Sequence, residues 1–373
     1  MLTDSIRAMY TTNLGVKRGE RVLVFTDRIS EREILDARDQ CRRERLRDIA
    51  LLTAEVGKSF TRSVVFLEYP STLSHGAEPP VEMWRAAFGE KAVRALAGAG
   101  LLNPLLAKEI SGSEMGKAES VVRRYGAAAE AVIALSNFST SHTRFRDFLT
   151  RLCGTRYASM PLFEVSMFEG SMDVDWKSLA GRTKAVAKVV NSAEEIEVAT
   201  PSGTRISLSK KGRKALPDTG ILTRPGSFGN LPAGEVYLAP VEGTARGTLV
   251  LQWAPTRELQ APVTLTVRDG RVTGVRGEEP FAGILRAKLA ERKENRNIAE
   301  LGIGTNDRAK RPDNILESEK ILGTIHIALG DNSSFGGSVK TPFHQDFVFF
   351  RPTVVLIGKD GERTTLMEDG RFL

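Results

Sequence analysis

The chain has 373 residues, 41% of them hydrophobic, enough for a large core and, by size, for two domains rather than one. A net charge of +7 comes from 53 basic residues scattered among 46 acidic ones, and the basic runs at 42–47 and 210–214 are short and lack an aromatic partner motif, so no nucleic-acid partner is expected. Cys41 and Cys153 form no C-x-x-C pair, which excludes a disulfide framework or a zinc finger and fits a reducing compartment.

Residues 2–16 read as an amphipathic helix, with no apolar block of signal-peptide length. The run RVLVF, a helical stretch over 31–56 and the run SVVFLEY then have the period of a β-α-β unit. Helical segments at 80–96 and 114–130 lead to AVIALS at 131–136, which completes a second unit. From about residue 183 the texture changes. AVAKVV, EIEVATPSG, TRISLS, GEVYLAP, GTLVLQW and PVTLTVRDGRVTGV are short runs broken by Gly, Pro, Asn and Asp, as in an antiparallel sheet. Asp269-Gly270 marks a hairpin, because both residues tolerate positive φ. A last helix is expected over about 279–295. The expected fold class is α/β: an N-terminal α/β domain with a parallel sheet (1–182), then a C-terminal, mainly antiparallel β (α+β) domain that binds metal (183–373). No segment approaches the roughly 18 apolar residues of a membrane span. A cytoplasmic protein with no membrane partner is therefore expected.

Candidate chemistry gathers in the C-terminal part. In TPFHQDFVFF, read as a strand, His344 and Asp346 share a face while Gln345 points away. His326 lies in TIHIALG, where an apolar setting fits either a core histidine or a ligand. Glu235 opens the run GEVY, and Glu300 lies in the apolar AELGIG, where a carboxylate is expensive to bury unless it meets a cation. The two histidines with Asp346 match the 2-His-1-carboxylate set of mononuclear iron oxygenases. With Glu235 and Glu300 added, five ligands suit two divalent ions bridged by a carboxylate, an arrangement that activates water for amide hydrolysis. The ligand count favours hydrolysis, with Glu300 as the catalytic carboxylate nearest the water.

These residues lie in a series of motifs: LGVKRGERVLVFTD, GAEPP, ALSNFSTSHTR, DTGILTRPGSFGNLPAGEVYLAPVEGTARG, NIAELGIGTN, LGTIHIALGDN and the closing HQD. In that order they resemble the aminopeptidase T type of metallo-aminopeptidases over nearly the whole chain. The resemblance implies an N-terminal α/β domain, a metal-carrying β domain and a homodimer. It implies two divalent ions (zinc, cobalt, manganese or magnesium) on Glu235, Glu300, His326, His344 and Asp346. It also implies cleavage of an N-terminal residue from a small peptide or amide substrate. His142, in STSHTR, matches a family motif and reads either as a substrate-pocket residue or as a loop histidine. The family's active-site tyrosine, seven residues after the first histidine, is replaced here by Ser333, a substrate-binding candidate, and Phe335 is the nearest aromatic. Only eighteen residues separate His326 from His344, a shorter interval than those peptidases have.

Two other readings accompany the hydrolase. The same superfamily contains Fe(II) ring-cleaving dioxygenases of the dihydroxypyridine type, which use only the two histidines and the aspartate; the presence of Glu235 and Glu300 points away from them. The third is a degenerate, non-catalytic metal-binding accessory protein.

Overall fold

In a computed structural model, which describes residues 2–373, the chain divides into two compact units. One holds residues 1–173 and 220–232; the other holds 174–219 and 233–373.

The first unit is built on a five-stranded sheet in which every neighbouring pair is parallel. Its order is Ser63–Pro70, Arg21–Arg28, Ala131–Ala134, Arg156–Ser159, Phe228–Asn230. The central strands are buried along nearly their whole length, as in a parallel sheet covered by helices on both faces. Two helices differ from their expected spans. The stretch expected over 31–56 becomes helical only at Ala37–Gly57, where the Asp36 carboxylate accepts from the Asp39 amide at 2.8 Å. The helix expected over 80–96 breaks at Gly89, whose φ of 85° ends Val81–Phe88 before Glu90–Gly98 begins.

The second unit holds an eight-stranded and a five-stranded antiparallel sheet, as the alternating runs imply. Side chains from both sheets and from the helix Pro280–Glu291 share one apolar core. The Asp269-Gly270 hairpin forms with φ values of 47° and 72°. One run is corrected: AVAKVV is not a strand but part of the helix Trp176–Asn191. Its start is fixed by Asp175, which accepts from the amides of Lys177 and Ser178, and its buried residues recur three and four apart. Residues 182 and 183 lie inside this helix, so the second unit begins upstream of it, at Val174.

The five-stranded sheet carries the candidate site. Its order is His344–Phe349, Ile325–Gly330, Ile298–Gly304, Glu235–Leu238, Leu216–Asp218. One face supplies Val236, Leu238, Leu301, Ile303, Ile325, Ile327, Leu329, Phe347 and Phe349 to the core. Alternation sends the intervening side chains to the other face. An α/β N-terminal part followed by an antiparallel β part is therefore the observed fold class.

Candidate metal centre

The polar face follows from strand register. Tyr237, Gly302 and His326 form one row across three strands, and Glu300, Ala328 and Asp346 form another. His344 pairs with Gly330, and Glu235 with Gly304, so small residues in the middle strands leave room for the larger groups beside them. Gly302 is the clearest case. A Cβ there would fall 1.9 Å from Cε1 and 2.1 Å from Nε2 of His326, so the imidazole lies flat over a position that only glycine can supply.

Two groups of three ligand-type atoms converge among the described residues: Glu235, Glu300 and His326, and Glu300, His344 and Asp346. Glu300 belongs to both. His326 Nε2 lies 3.4 Å from Glu300 Oε1 and 3.4 Å from Glu235 Oε2. His344 Nε2 lies 3.6 Å from Glu300 Oε2 and 3.4 Å from Asp346 Oδ2. These separations are long for hydrogen bonds. They suit atoms that share an ion at about 2.1 Å, whose neighbours then stand roughly 3.0–3.4 Å apart. His326 is 1% exposed and its Nδ1 has no hydrogen-bond partner; Glu235 Oε2 likewise has none. Buried carboxylates and imidazoles left this short of partners fit a divalent cation.

His344 is oriented from behind. Its Nδ1–H donates to the carbonyl of Asp331 at 2.7 Å, which turns Nε2 toward Asp346 and Glu300. The loop that supplies this carbonyl is tied down at several points. Asn332 is fully buried, donates to Glu242 at 3.1 Å and accepts from the Val339 amide at 2.9 Å. Glu242 also accepts from the Ser338 amide at 2.7 Å and pairs with Arg213. Glu242 thus reaches His344 only through this loop. The loop sets Phe335 edge-on to both Tyr237 (5.8 Å between ring centres) and His344 (6.1 Å), so an aromatic wall flanks the cluster.

Electrostatics follow from crowding. Burial disfavours a charged His326, but Glu300, Glu235, Glu319 and Asp346 outweigh it and push the imidazole up to about 9. Burial opposes His344 in the same way, yet Asp346 and Glu300 push it up to about 10. Burial raises Glu300, although hydrogen bonding to His326 opposes the rise. Asp346 is held below the usual carboxylate range because the charges of His344, His326 and Lys320 overcome its burial.

The sequence reasoning missed Lys320. Its side chain is wholly buried, with Nζ 2.6 Å from Glu235 Oε1 and 2.9 Å from Glu319 Oε2. Burial alone would lower its affinity for a proton, but these carboxylates keep it well above the ordinary lysine value. Gly302 and Tyr237 were also passed over, though each lies two residues from a named glutamate on the same strand, a spacing that would have pointed to both. Lys320, within ILESEK, carried no such signal.

Both substrate-binding candidates are exposed. Ser333 is exposed, and its hydroxyl donates to the Asp331 carboxylate at 3.0 Å. His142 is exposed in the first unit, its carbonyl accepting from Lys108 Nζ at 3.0 Å.

The fold and this cluster define a two-unit protein with a buried carboxylate–histidine centre able to hold a metal ion. The family model described as NicX, 2,5-dihydroxypyridine 5,6-dioxygenase, matches residues 173–373, more than half of the chain, and the chain belongs to that family. It is similar to the 2,5-dihydroxypyridine 5,6-dioxygenase of Pseudomonas putida KT2440, with 26% identity over 181 residues, 44% of this chain and 51% of that protein. The match thus spans about half the length of that relative. Among solved structures, a 2,5-dihydroxypyridine dioxygenase from Pseudomonas putida KT2440 shares the fold at TM-score 0.69 and 19% identity, over 100% of this chain and 96% of that one. Wild-type AmpT from Thermus thermophilus shares it at TM-score 0.56 and 16% identity, over 100% and 98%.

Membership of the dioxygenase family corrects the activity expected from the motifs. The hydrolase reading, a metallo-aminopeptidase or protease acting on a peptide, is overturned by membership of the dioxygenase family. The physical misstep was to let the ligand count decide the reaction: five candidate ligands were taken to favour hydrolysis, although one Glu235 oxygen faces a lysine. No helix among the described residues is long and apolar enough to cross a membrane.

Proposed function

We propose that this protein is a ferrous-iron-dependent dioxygenase that opens the ring of a hydroxylated pyridine of the 2,5-dihydroxypyridine type. The observation that carries the reading is the family match over 173–373, the stretch that contains every residue of the cluster. His326, His344 and Asp346 would hold the ion, with Glu300 between the histidines. When bound, Fe(II) supplies the redox chemistry that lets O2 react with an electron-rich aromatic ring.

The chain's own residues do the rest. The Asp331 carbonyl holds His344 in one tautomer and one orientation. Gly302 gives His326 the space to lie flat against its strand. Phe335 and Tyr237 offer planar apolar surfaces beside the cluster, suited to a flat ring. Three carboxylates near the ring's hydroxyl groups would accept hydrogen bonds and set which edge of the substrate faces the cluster.

Isotope labelling tests the reaction class. With 18O2, both labelled atoms should appear in an acyclic product, as one ring carbon–carbon bond breaks and O2 is consumed mole for mole. Label entering only from H2(18)O would mark a hydrolase and end this reading.

A further inference from the structure

We infer that the free edge of the parallel sheet pairs with the same edge of a second copy of this chain, antiparallel and centred on Val65. Every residue involved lies in the first unit, so the pairing stands apart from the metal centre and its chemistry. The edge strand, Ser63–Pro70, pairs with Arg21–Arg28 on one side only. The opposite edge of the sheet, Phe228–Asn230, is three residues long, whereas this one is eight. Exposed edges are normally blunted by charge, proline or brevity. Here residues 63–67, SVVFL, carry neither a charge nor a proline, and Val65 is 36% exposed. Val64, Phe66 and Leu67 are half-buried.

Backbone direction fixes which residues can meet. The Ser71 amide donates to the Arg28 carbonyl at 3.1 Å, so alternation turns the odd-numbered residues of the edge strand toward Arg21–Arg28. The N–H and C=O groups of Val64, Phe66 and Glu68 then point outward. Pro70 also falls outward, where its missing N–H costs the sheet no bond. Two copies related by a two-fold axis therefore bond through their even-numbered residues. Charge selects the register. Exposed Arg62 precedes the apolar run and Glu68 follows it, on the same face by alternation. With Val65 opposite itself, Val64 stands opposite Phe66 and Arg62 opposite Glu68, each pair occurring twice. Sliding one copy by two residues puts Arg62 opposite Phe66 or Pro70 and loses both ion pairs. Arg47 Nε lies 2.6 Å from Glu68 Oε1, so each Glu68 would sit between two guanidinium groups, one from each copy.

Cysteine crosslinking tests the pairing and its register. A self-opposed residue without backbone bonds to its mate has Cα atoms about 4.5 Å apart, within reach of a disulfide. The full-length chain with exposed Cys41 changed to serine is the parent, and its half-buried Cys153 gives the background. Under mild oxidation Val65→Cys should link most chains into covalent dimers. Leu67→Cys, whose two copies would stand about 13 Å apart, should link about tenfold more slowly or not at all. Adding Arg62→Glu to Val65→Cys sets like charges opposite each other twice and should slow linkage by about tenfold. A folded Val65→Cys that links no faster than Leu67→Cys would overturn the inference, and so would linkage that Arg62→Glu leaves unchanged. Faster linkage through Phe66→Cys would overturn the register. Should Val65→Cys fail to fold, a mixture of Ser63→Cys and Leu67→Cys chains decides, because those positions oppose each other. Mixed dimers would support the pairing and their absence would overturn it.

Discussion

Both units bury carboxylates, but they treat them differently. In the parallel sheet, Asp27 is 5% exposed and accepts from the amides of Asn137 (2.6 Å) and Phe138 (3.1 Å), with Arg43 at 3.7 Å. Glu78 likewise accepts from the amides of Arg144 and Phe145 at the start of a helical turn, although burial still raises it to about 7. Each is answered by backbone hydrogen bonds, and each ties a loop to its neighbours. In the antiparallel sheet, Glu300 and Asp346 face imidazoles at 3.4–3.6 Å, too far for good hydrogen bonds. A buried carboxylate satisfied by amides is structural. One that converges on other ligands without satisfaction marks a place for an ion.

The strongest way to break this contrast is to remove a ligand. His344→Ala should lower iron affinity by more than about a hundredfold and abolish ring cleavage, since even residues behind a ligand are worth about 10–100-fold. Metal analysis after desalting reads the loss, and retention of full iron content would deny His344 its role. Gly302→Ala should come close to that effect without touching a ligand, because the new methyl would sit within the His326 ring. Overpacking there should also destabilise the fold by about 1–3 kcal/mol, measured by denaturant melts.

Acidity provides the next effect. In the metal-free protein His326 and His344 are pushed up to about 9 and about 10, so both carry protons at neutral pH. A cation must displace those protons, so affinity rises with pH up to these values and falls as the solution is acidified, by about ten- to hundredfold per pH unit. Titrations between about pH 6 and about pH 8 would show the slope, and a flat profile would mean the histidines are not displaced.

How much of this was legible beforehand depends on the kind of signal. Period-two alternation in TIHIALG and HQDFVFF placed His326, His344 and Asp346 on definable faces, and cross-strand register then brought them together with Glu235 and Glu300. The same alternation misread AVAKVV, because a short apolar run has no helical or strand period of its own until the capping Asp175 is considered. Lys320 was invisible for a different reason. Its contact with Glu235 spans 85 residues, and nothing in a chain with so many scattered lysines and arginines marks one as buried. The wrong reaction class came from the ligand count and the resemblance to the peptidases.

Smaller effects sharpen the comparison from each side. Asn332→Ala frees the loop that presents the Asp331 carbonyl to His344, and should weaken metal binding by about tenfold with every candidate ligand intact. Asp27→Asn should do the reverse. It should destabilise the protein by about 1–3 kcal/mol in thermal or urea unfolding and leave iron content unchanged. Iron lost in step with Asp27 would erase the distinction between the two kinds of buried carboxylate.

The central claim is best tested by oxygen uptake after anaerobic reconstitution with Fe(II). The account predicts that wild-type protein carrying one iron per chain consumes one O2 per molecule of 2,5-dihydroxypyridine, and that iron-loaded solutions of His344→Ala consume none above background. Iron-loaded wild-type protein that leaves both O2 and the ring untouched, or a variant as active as wild type, would contradict it.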